Sequence, residues 1–217
     1  MSDHGPQPPS FDEAFRQSFE QLLIWRRDVR RFRRDPVDAG LIERLIALSC
    51  LAPSVGNAQP WRFVTVADPA RRQAVRASFL DCNADALNDY QGERAKLYAG
   101  LKLSGLDDAP VHLAVFSDHG TEAGHGLGRK TMPQTMDFSV VCAVYSFWLA
   151  ARMHGLGVGW VSILDPEAVR LALEVPAVWS LVAYLCVGLP VEDNELPELV
   201  RFGWQDREAF ESVLFRR

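Results

Sequence analysis

From Asp137 to His154 the chain reads as one helix that is apolar on every side, and it stops at Gly155. A surface helix keeps a charged stripe for water. A helix without one belongs at the centre of a core or inside a subunit interface. Whatever fold the chain adopts must lay other elements around this segment, from its own length or from a second copy. The most apolar run within it, Val140 to Ala151, is too short to cross a bilayer, which takes about 18–20 residues. The expectation is a buried helix in a soluble protein.

With 217 residues, 48% of them hydrophobic, the chain can build one domain with a sizeable core or one protomer of an intertwined dimer. A net charge of −5 argues against a general nucleic-acid binder, which is usually basic. Positive charge is nevertheless concentrated in one segment, Arg26, Arg27, Arg30, Arg31, Arg33 and Arg34, with Asp28 interrupting it. That cluster is an anion site or a solvated helix end. The four cysteines (Cys50, Cys82, Cys142, Cys186) form no Cys-x-x-Cys, and Cys142 and Cys186 lie in apolar runs where a thiol acts as a small hydrophobe. Residues 1–10 are polar and Pro-rich, lack signal-peptide architecture, and are expected to be disordered. Residues 11–217 are expected to form a single domain, cytoplasmic and without membrane contact.

Along the chain, Phe15, Phe19, Leu22 and Leu23 follow helical spacing between Phe11 and about Arg27. If that helix runs on, Arg26 and Arg30 share one side of its end and Arg27 points elsewhere. Asp38 is placed to cap a second helix over Ala39–Leu51. Strand patterns occupy Trp61–Val66, Val111–Phe116, Val158–Ile163 and Leu181–Val187. Asp68-Pro69 and Asp165-Pro166 each open a helix, with Asp as cap and Pro in the first turn. No repeat or linker divides the chain.

The connection Ala52-Pro-Ser-Val-Gly-Asn-Ala-Gln-Pro-Trp61 joins helix to strand through residues that form tight turns and leave backbone N–H groups free. Several other motifs fail on their spacing. Gly124-His-Gly-Leu-Gly-Arg-Lys-Thr131 is not a phosphate loop, because Arg129 stands where Gly must precede Lys-Thr. Gly155-Leu-Gly-Val-Gly159 follows a helix and precedes a strand, the reverse of the dinucleotide-binding order. Asp118, His119, Glu122 and His125 lack metal-ligand spacing, and no Gly-x-Ser-x-Gly elbow is present.

Four stretches carry a resemblance. Arg26-Arg-Asp-Val-Arg-Arg-Phe32, Ala52-Pro-Ser-Val-Gly-Asn57, Gly126-Leu-Gly-Arg-Lys-Thr-Met-Pro133 and Gly157-Val-Gly-Trp-Val-Ser-Ile-Leu-Asp-Pro166 are similar to the 5,6-dimethylbenzimidazole synthase (BluB) family of the FMN-dependent nitroreductase-like superfamily. The likeness runs from about Phe11 to Trp204. Asp28 stands where ordinary nitroreductases commonly carry Ser, and Gln134 stands where the family pattern has Glu.

The resemblance implies an α+β three-layer sandwich with a mostly antiparallel sheet and flanking helices, in an intertwined homodimer. It implies that reduced FMN is consumed with O2, giving 5,6-dimethylbenzimidazole and erythrose 4-phosphate. A separate NAD(P)H-dependent flavin reductase would supply the reduced FMN. Asp28 would be the catalytic acid/base, and Ser162 would contact the flavin edge near N5. Arg26, Arg27 and Arg30, with Val29 among them, would bind phosphate, ribityl and pyrimidine groups. Pro53, Ser54 and Asn57 would reach the flavin from the partner subunit, Lys102 and Arg201 would add contacts, and the Gly120–Pro133 loop would close over the ligand. A phosphate dianion and an electron-rich pyrimidine edge do call for arginine forks. Two alternatives share the fold or the ligand: an NAD(P)H-dependent nitroreductase or dehalogenase that retains its FMN, and a non-catalytic FMN-binding protein.

Overall fold

The computed structural model describes residues 7–217; of the segment expected to be disordered, residues 1–6 lie outside the described residues and residues 7–10 are exposed and irregular. The centre is a four-stranded sheet of β1 (Trp61–Thr65), β2 (Val111–Asp118), β3 (Gly157–Val161) and β4 (Trp179–Gly188), in the order β1-β2-β4-β3. All three ladders are antiparallel. β1 and β3 are therefore the two edges, and the long central strands β2 and β4 are buried on both faces.

Alternation along the strands divides the core in two. Leu113, Val115, Ala183, Leu185 and Val187 face α2 (Ala39–Ser49) and α5 (Thr135–Met153). Ala114, Phe116, Tyr184 and Cys186 face α3 (Pro69–Asn88) and α6 (Pro166–Ala172). Helices on both faces of one sheet make the three-layer α+β sandwich that the resemblance implied. Local signals set the helix starts. Asp38 accepts from Gly40 N–H (3.0 Å), Asp68 from Ala70 and Arg71 (2.8 and 3.0 Å), and Asp165 from Glu167 (2.9 Å).

α5 crosses the sheet with Val140, Ala143, Val144, Phe147 and Ala151 fully or almost fully buried. Truncating a side chain such as Phe147 to Ala would cost about 3–5 kcal/mol. At 19 residues the helix is long and apolar enough to cross a membrane by length and composition, so the length argument made from Val140–Ala151 does not stand. Its packing decides instead, because half of its most apolar window is buried inside the chain. The opposite face carries exposed Phe138, Val141 and Tyr145, and Cys142 lies there too, exposed and not in the core.

The first helix, α1 (Glu13–Trp25), ends earlier than its pattern suggested. Arg26 caps it in extended geometry (φ −70°, ψ 113°), so Arg26–Arg30 is not a helix end. The segment instead runs parallel beside β3, pairing at Asp28 and Val158, and continues as a strap whose Phe32 pairs with Pro190. Asp28 and Arg30 meet across two residues of extended chain, not across a helical turn, while Arg26 packs on Trp148 of α5. The last elements are α4 (Gly92–Gly100), α7 (Glu198–Arg201) and α8 (Phe210–Val213).

Candidate functional site

The strap is seated on β3 by two hydrogen bonds. Val29 N–H donates to Val158 O (3.0 Å), and the Trp160 N–H donates to Asp28 Oδ1 (2.9 Å). Arg30 Nε then donates to Asp28 Oδ2 at 2.9 Å, and Arg30 Nη1 to the Lys102 carbonyl at 3.2 Å. Asp28 interrupts the basic run because it is held from two sides, by a backbone amide of β3 and by Arg30. Each carboxylate oxygen keeps a second acceptor site for a ligand.

Arg26 and Arg27 are held differently. The Arg26 guanidinium lies 5.0 Å from the centre of the Trp148 ring and 6.0 Å from that of Tyr145. Arg27 reaches the Leu23 and Ile24 carbonyls at the end of α1, while Trp148 Nε1 donates to the Arg27 carbonyl (3.2 Å). The Nε atoms of both arginines are buried without a hydrogen-bond partner. Burial, followed by the neighbouring charges of Arg26 and Arg207, lowers the pKa of Arg27. A buried cationic edge with unspent donors fits an anionic ligand, since an unpaired buried donor costs about 1–3 kcal/mol.

Arg27, Asp28, Val29, Arg30 and Arg31 line a small cleft of about 30 Å³ together with Glu192, Glu198 and Arg201, so its four arginines face three carboxylates. Arg201 is paired with Glu192 (3.0 Å), and Arg31 with Glu198 (3.4 Å). Trp204 anchors this C-terminal wall: it meets the stacked Tyr90 and Tyr98 rings edge-on (5.5 and 6.0 Å), with Arg94 over its face at 4.3 Å. Lys102 joins the site only through its carbonyl, for its Nζ is 2.7 Å from Asp108 Oδ2. Ser162 is exposed just past the end of β3, two positions from Trp160 and so on the same side of the strand path.

Pro53, Ser54 and Asn57 are not brought to this cleft. They precede β1, on the opposite edge of the sheet, three strand spacings or about 14 Å away. There the chain makes a tight turn with Gly56 and Asn57 both at positive φ (55° and 56°), and the Ser54 hydroxyl accepts from Gln59 N–H (3.0 Å). The Gly120–Pro133 loop packs on the same turn: a Cβ at Gly56 would stand 2.9 Å from the Leu127 carbonyl. Within one chain this loop therefore covers the Pro53–Asn57 turn and not the arginine cleft. His119 pairs with Asp137 (2.9 Å) and Asp118 with Arg62 (2.7 Å); among the described residues no group of three or more His, Cys, Asp or Glu could hold a metal.

Motif reading did not single out the Trp160 amide, the indole of Trp148, or Trp204. A backbone donor leaves no trace in residue type, and Trp148 looks like any core aromatic. The strand pattern from Val158 took in Gly159 but not Gly157; both lie inside β3, and the turn is at Gly155 (φ 73°).

Residues 23–189 match the nitroreductase family. The chain belongs to the nitroreductase family. Among curated proteins it is 56% identical over 199 residues to a 5,6-dimethylbenzimidazole synthase of Rhodospirillum rubrum, covering 92% of this chain and 94% of that one. A 5,6-dimethylbenzimidazole synthase of Rhodobacter capsulatus is 49% identical over 197 residues, covering 91% and 95%. Among solved structures, a BluB-like flavoprotein from Clostridium difficile superposes with a TM-score of 0.68 at 20% identity, over 92% of this chain and 98% of that one. Oxidised iodotyrosine deiodinase bound to FMN and 3-iodo-L-tyrosine superposes with a TM-score of 0.68 at 25% identity, over 81% and 91%. These likenesses place the chain on the dimethylbenzimidazole synthase branch of its family.

Proposed function

We infer that this chain is a flavin-consuming oxidoreductase that turns reduced FMN and O2 into 5,6-dimethylbenzimidazole and erythrose 4-phosphate, with the oxidised pyrimidine ring leaving as a third fragment. The observation that carries the reading is the Asp28 carboxylate, seated between the Trp160 amide and Arg30 beside a cleft of arginines, in a chain so close to relatives of that name. When bound, reduced FMN supplies the electrons and the carbon skeleton; the protein supplies position and proton transfer. The unspent Nε donors of Arg26 and Arg27 and the forks of Arg30 and Arg201 would hold phosphate, ribityl and pyrimidine oxygens. Asp28 would take and return a proton at a free lone pair of its carboxylate. Ser162 would touch the flavin edge near N5.

The site is completed in this reading by a second copy. Pro53, Ser54 and Asn57 are on the wrong edge to serve their own cleft, and the outward face of α5 exposes Phe138, Val141 and Tyr145. A two-fold interface along α5 would cover that apolar face and carry each turn to the other chain's arginines. The homodimer would work in the cytoplasm with a separate NAD(P)H-dependent flavin reductase.

The test mixes the protein with reduced FMN and O2 and looks for dimethylbenzimidazole by mass spectrometry, with sedimentation at low micromolar concentration for the dimer. Rapid NADH oxidation with FMN recovered intact would replace this reading with an ordinary nitroreductase; a curated NADH dehydrogenase of Thermus thermophilus is 30% identical over 182 residues. Intact FMN without NADH oxidation would leave a flavin-binding protein.

A further inference from the structure

β3 is an edge strand, and its outward backbone groups are taken up by the strap. Val158 O accepts from Val29 N–H at 3.0 Å, and Trp160 N–H donates to Asp28 Oδ1 at 2.9 Å. Gly159 lies between these two anchors. A Cβ at Gly159 would stand 2.0 Å from the Val29 carbonyl oxygen and 3.2 Å from its carbon. The contact is backbone against backbone, so no side-chain rotation relieves it. To move from 2.0 Å beyond the 3.0 Å that a real Cβ tolerates, the Val29 carbonyl must retreat by about 1 Å. Both anchors flank that carbonyl, so the retreat pulls on each of them.

We propose that Gly159 is a positioning residue for Asp28: its missing side chain lets the strap lie on β3, and that contact sets the carboxylate against the Trp160 amide. The catalytic consequence rests on the function inferred above; the seating of Asp28 does not. Gly157 serves as the contrast, because a Cβ there would meet the Val29 side chain at 2.8–3.0 Å and not its backbone. Val29→Ala removes the two Cγ contacts and leaves Cβ at 3.0 Å, so it should relieve Gly157→Ala in part and Gly159→Ala not at all.

The experiment reads amide hydrogen exchange by NMR on the full chain without flavin, then product formation from reduced FMN and O2. Gly159→Ala should lower protection of the Trp160 amide at least about tenfold, while amides of the β2–β4 ladder stay within about twofold of wild type. Asp28→Ala should expose the same amide, and Asp28→Asn, which keeps an acceptor oxygen, should not. In turnover, Gly159→Ala should form dimethylbenzimidazole about 10²-fold more slowly, as expected for a misplacement near 1 Å, with KM for reduced FMN changed much less. A folded Gly159→Ala protein with wild-type protection at Trp160, or with lost protection and a wild-type rate, overturns the proposal. If Gly159→Ala does not fold, unchanged protection at Trp160 in Asp28→Ala overturns it. A wild-type protein that makes no product defeats the functional reading, and the exchange contrast alone then decides whether Gly159 seats Asp28.

Discussion

The two edges of the sheet are finished in opposite ways. At β3 the chain closes its own edge: the strap donates and accepts backbone hydrogen bonds, Gly157 and Gly159 give it room, and Asp28 is held from both sides. At β1 the neighbouring turn and loop pack on each other, yet they leave Leu51, Leu127, Met132 and Phe138 exposed. A strand edge that is covered needs nothing more, whereas exposed apolar side chains grouped at the other edge call for cover from outside the chain. The difference shows why one chain can prepare a carboxylate and an arginine cleft while its Pro53–Asn57 turn and Gly120–Pro133 loop stand apart from them.

The largest effect should come from the closed edge. Asp28→Asn keeps shape and one acceptor oxygen but removes the base, and product formation should fall by about 10² to 10⁴ while the protein still folds and binds reduced FMN. Dimethylbenzimidazole measured by mass spectrometry at a near wild-type rate would end the catalytic assignment.

Mixing variants sharpens the comparison itself. Gly56→Ala strains a residue at positive φ and presses on the Leu127 carbonyl, so it should cripple the open edge alone. If the two edges of one site come from different chains, heterodimers of Asp28→Asn with Gly56→Ala contain one intact site in two. Activity should return to about a quarter of wild type on full subunit exchange, since about half of the dimers are then heterodimers. If each site were built within one chain, mixing two weak variants would give a weak mixture.

Arg30→Ala removes the partner of Asp28 Oδ2 and the link to the Lys102 carbonyl. A charge-assisted hydrogen bond of this sort contributes about 1.5–3 kcal/mol, so affinity for reduced FMN should weaken roughly 10- to 100-fold in anaerobic titration. The matching substitution at the open edge, Asn57→Ala, should weaken it less.

The last effect, on stability and not on turnover, belongs to neither edge. His112 in β2 is buried between them, with Nδ1 2.9 Å from Tyr184 Oη and Nε2 without a hydrogen-bond partner. Burial first, and the Arg72 charge second, push its pKa down to about 4; the Ala109 backbone, the Asp107 charge and the Leu106 backbone pull the other way. The unfolded chain binds a proton below about 6.5 that the folded chain refuses until about 4. This contribution is fully present above pH 6.5 and is lost as pH falls toward 4, amounting to roughly 3 kcal/mol in all. Urea midpoints measured across that window should slope upward with pH, and His112→Gln should flatten the slope without changing the ratio of effects at the two edges.

What residue order determined was local. Asp-x or Asp-Pro caps opened the helices at residues 39, 69 and 166, short apolar runs marked all four strands, and the unbroken apolar surface of 137–154 required burial. These are short-range consequences of hydrogen-bonding side chains and of the 3.6- and 2-residue periods, so they survive without a fold. The arginines and Asp28 were likewise visible as a group. Their conformation was not: the Arg26–Arg30 run continued a helical pattern, and only pairing with a strand about 130 residues later drew it out straight. Nor could order alone say that Gly159 clears a carbonyl, that a Trp160 backbone N–H holds the carboxylate, or that Pro53–Asn57 falls on the far edge of the sheet. Those facts depend on strand order and backbone contact between distant segments, which side-chain type does not encode and which tertiary packing alone decides.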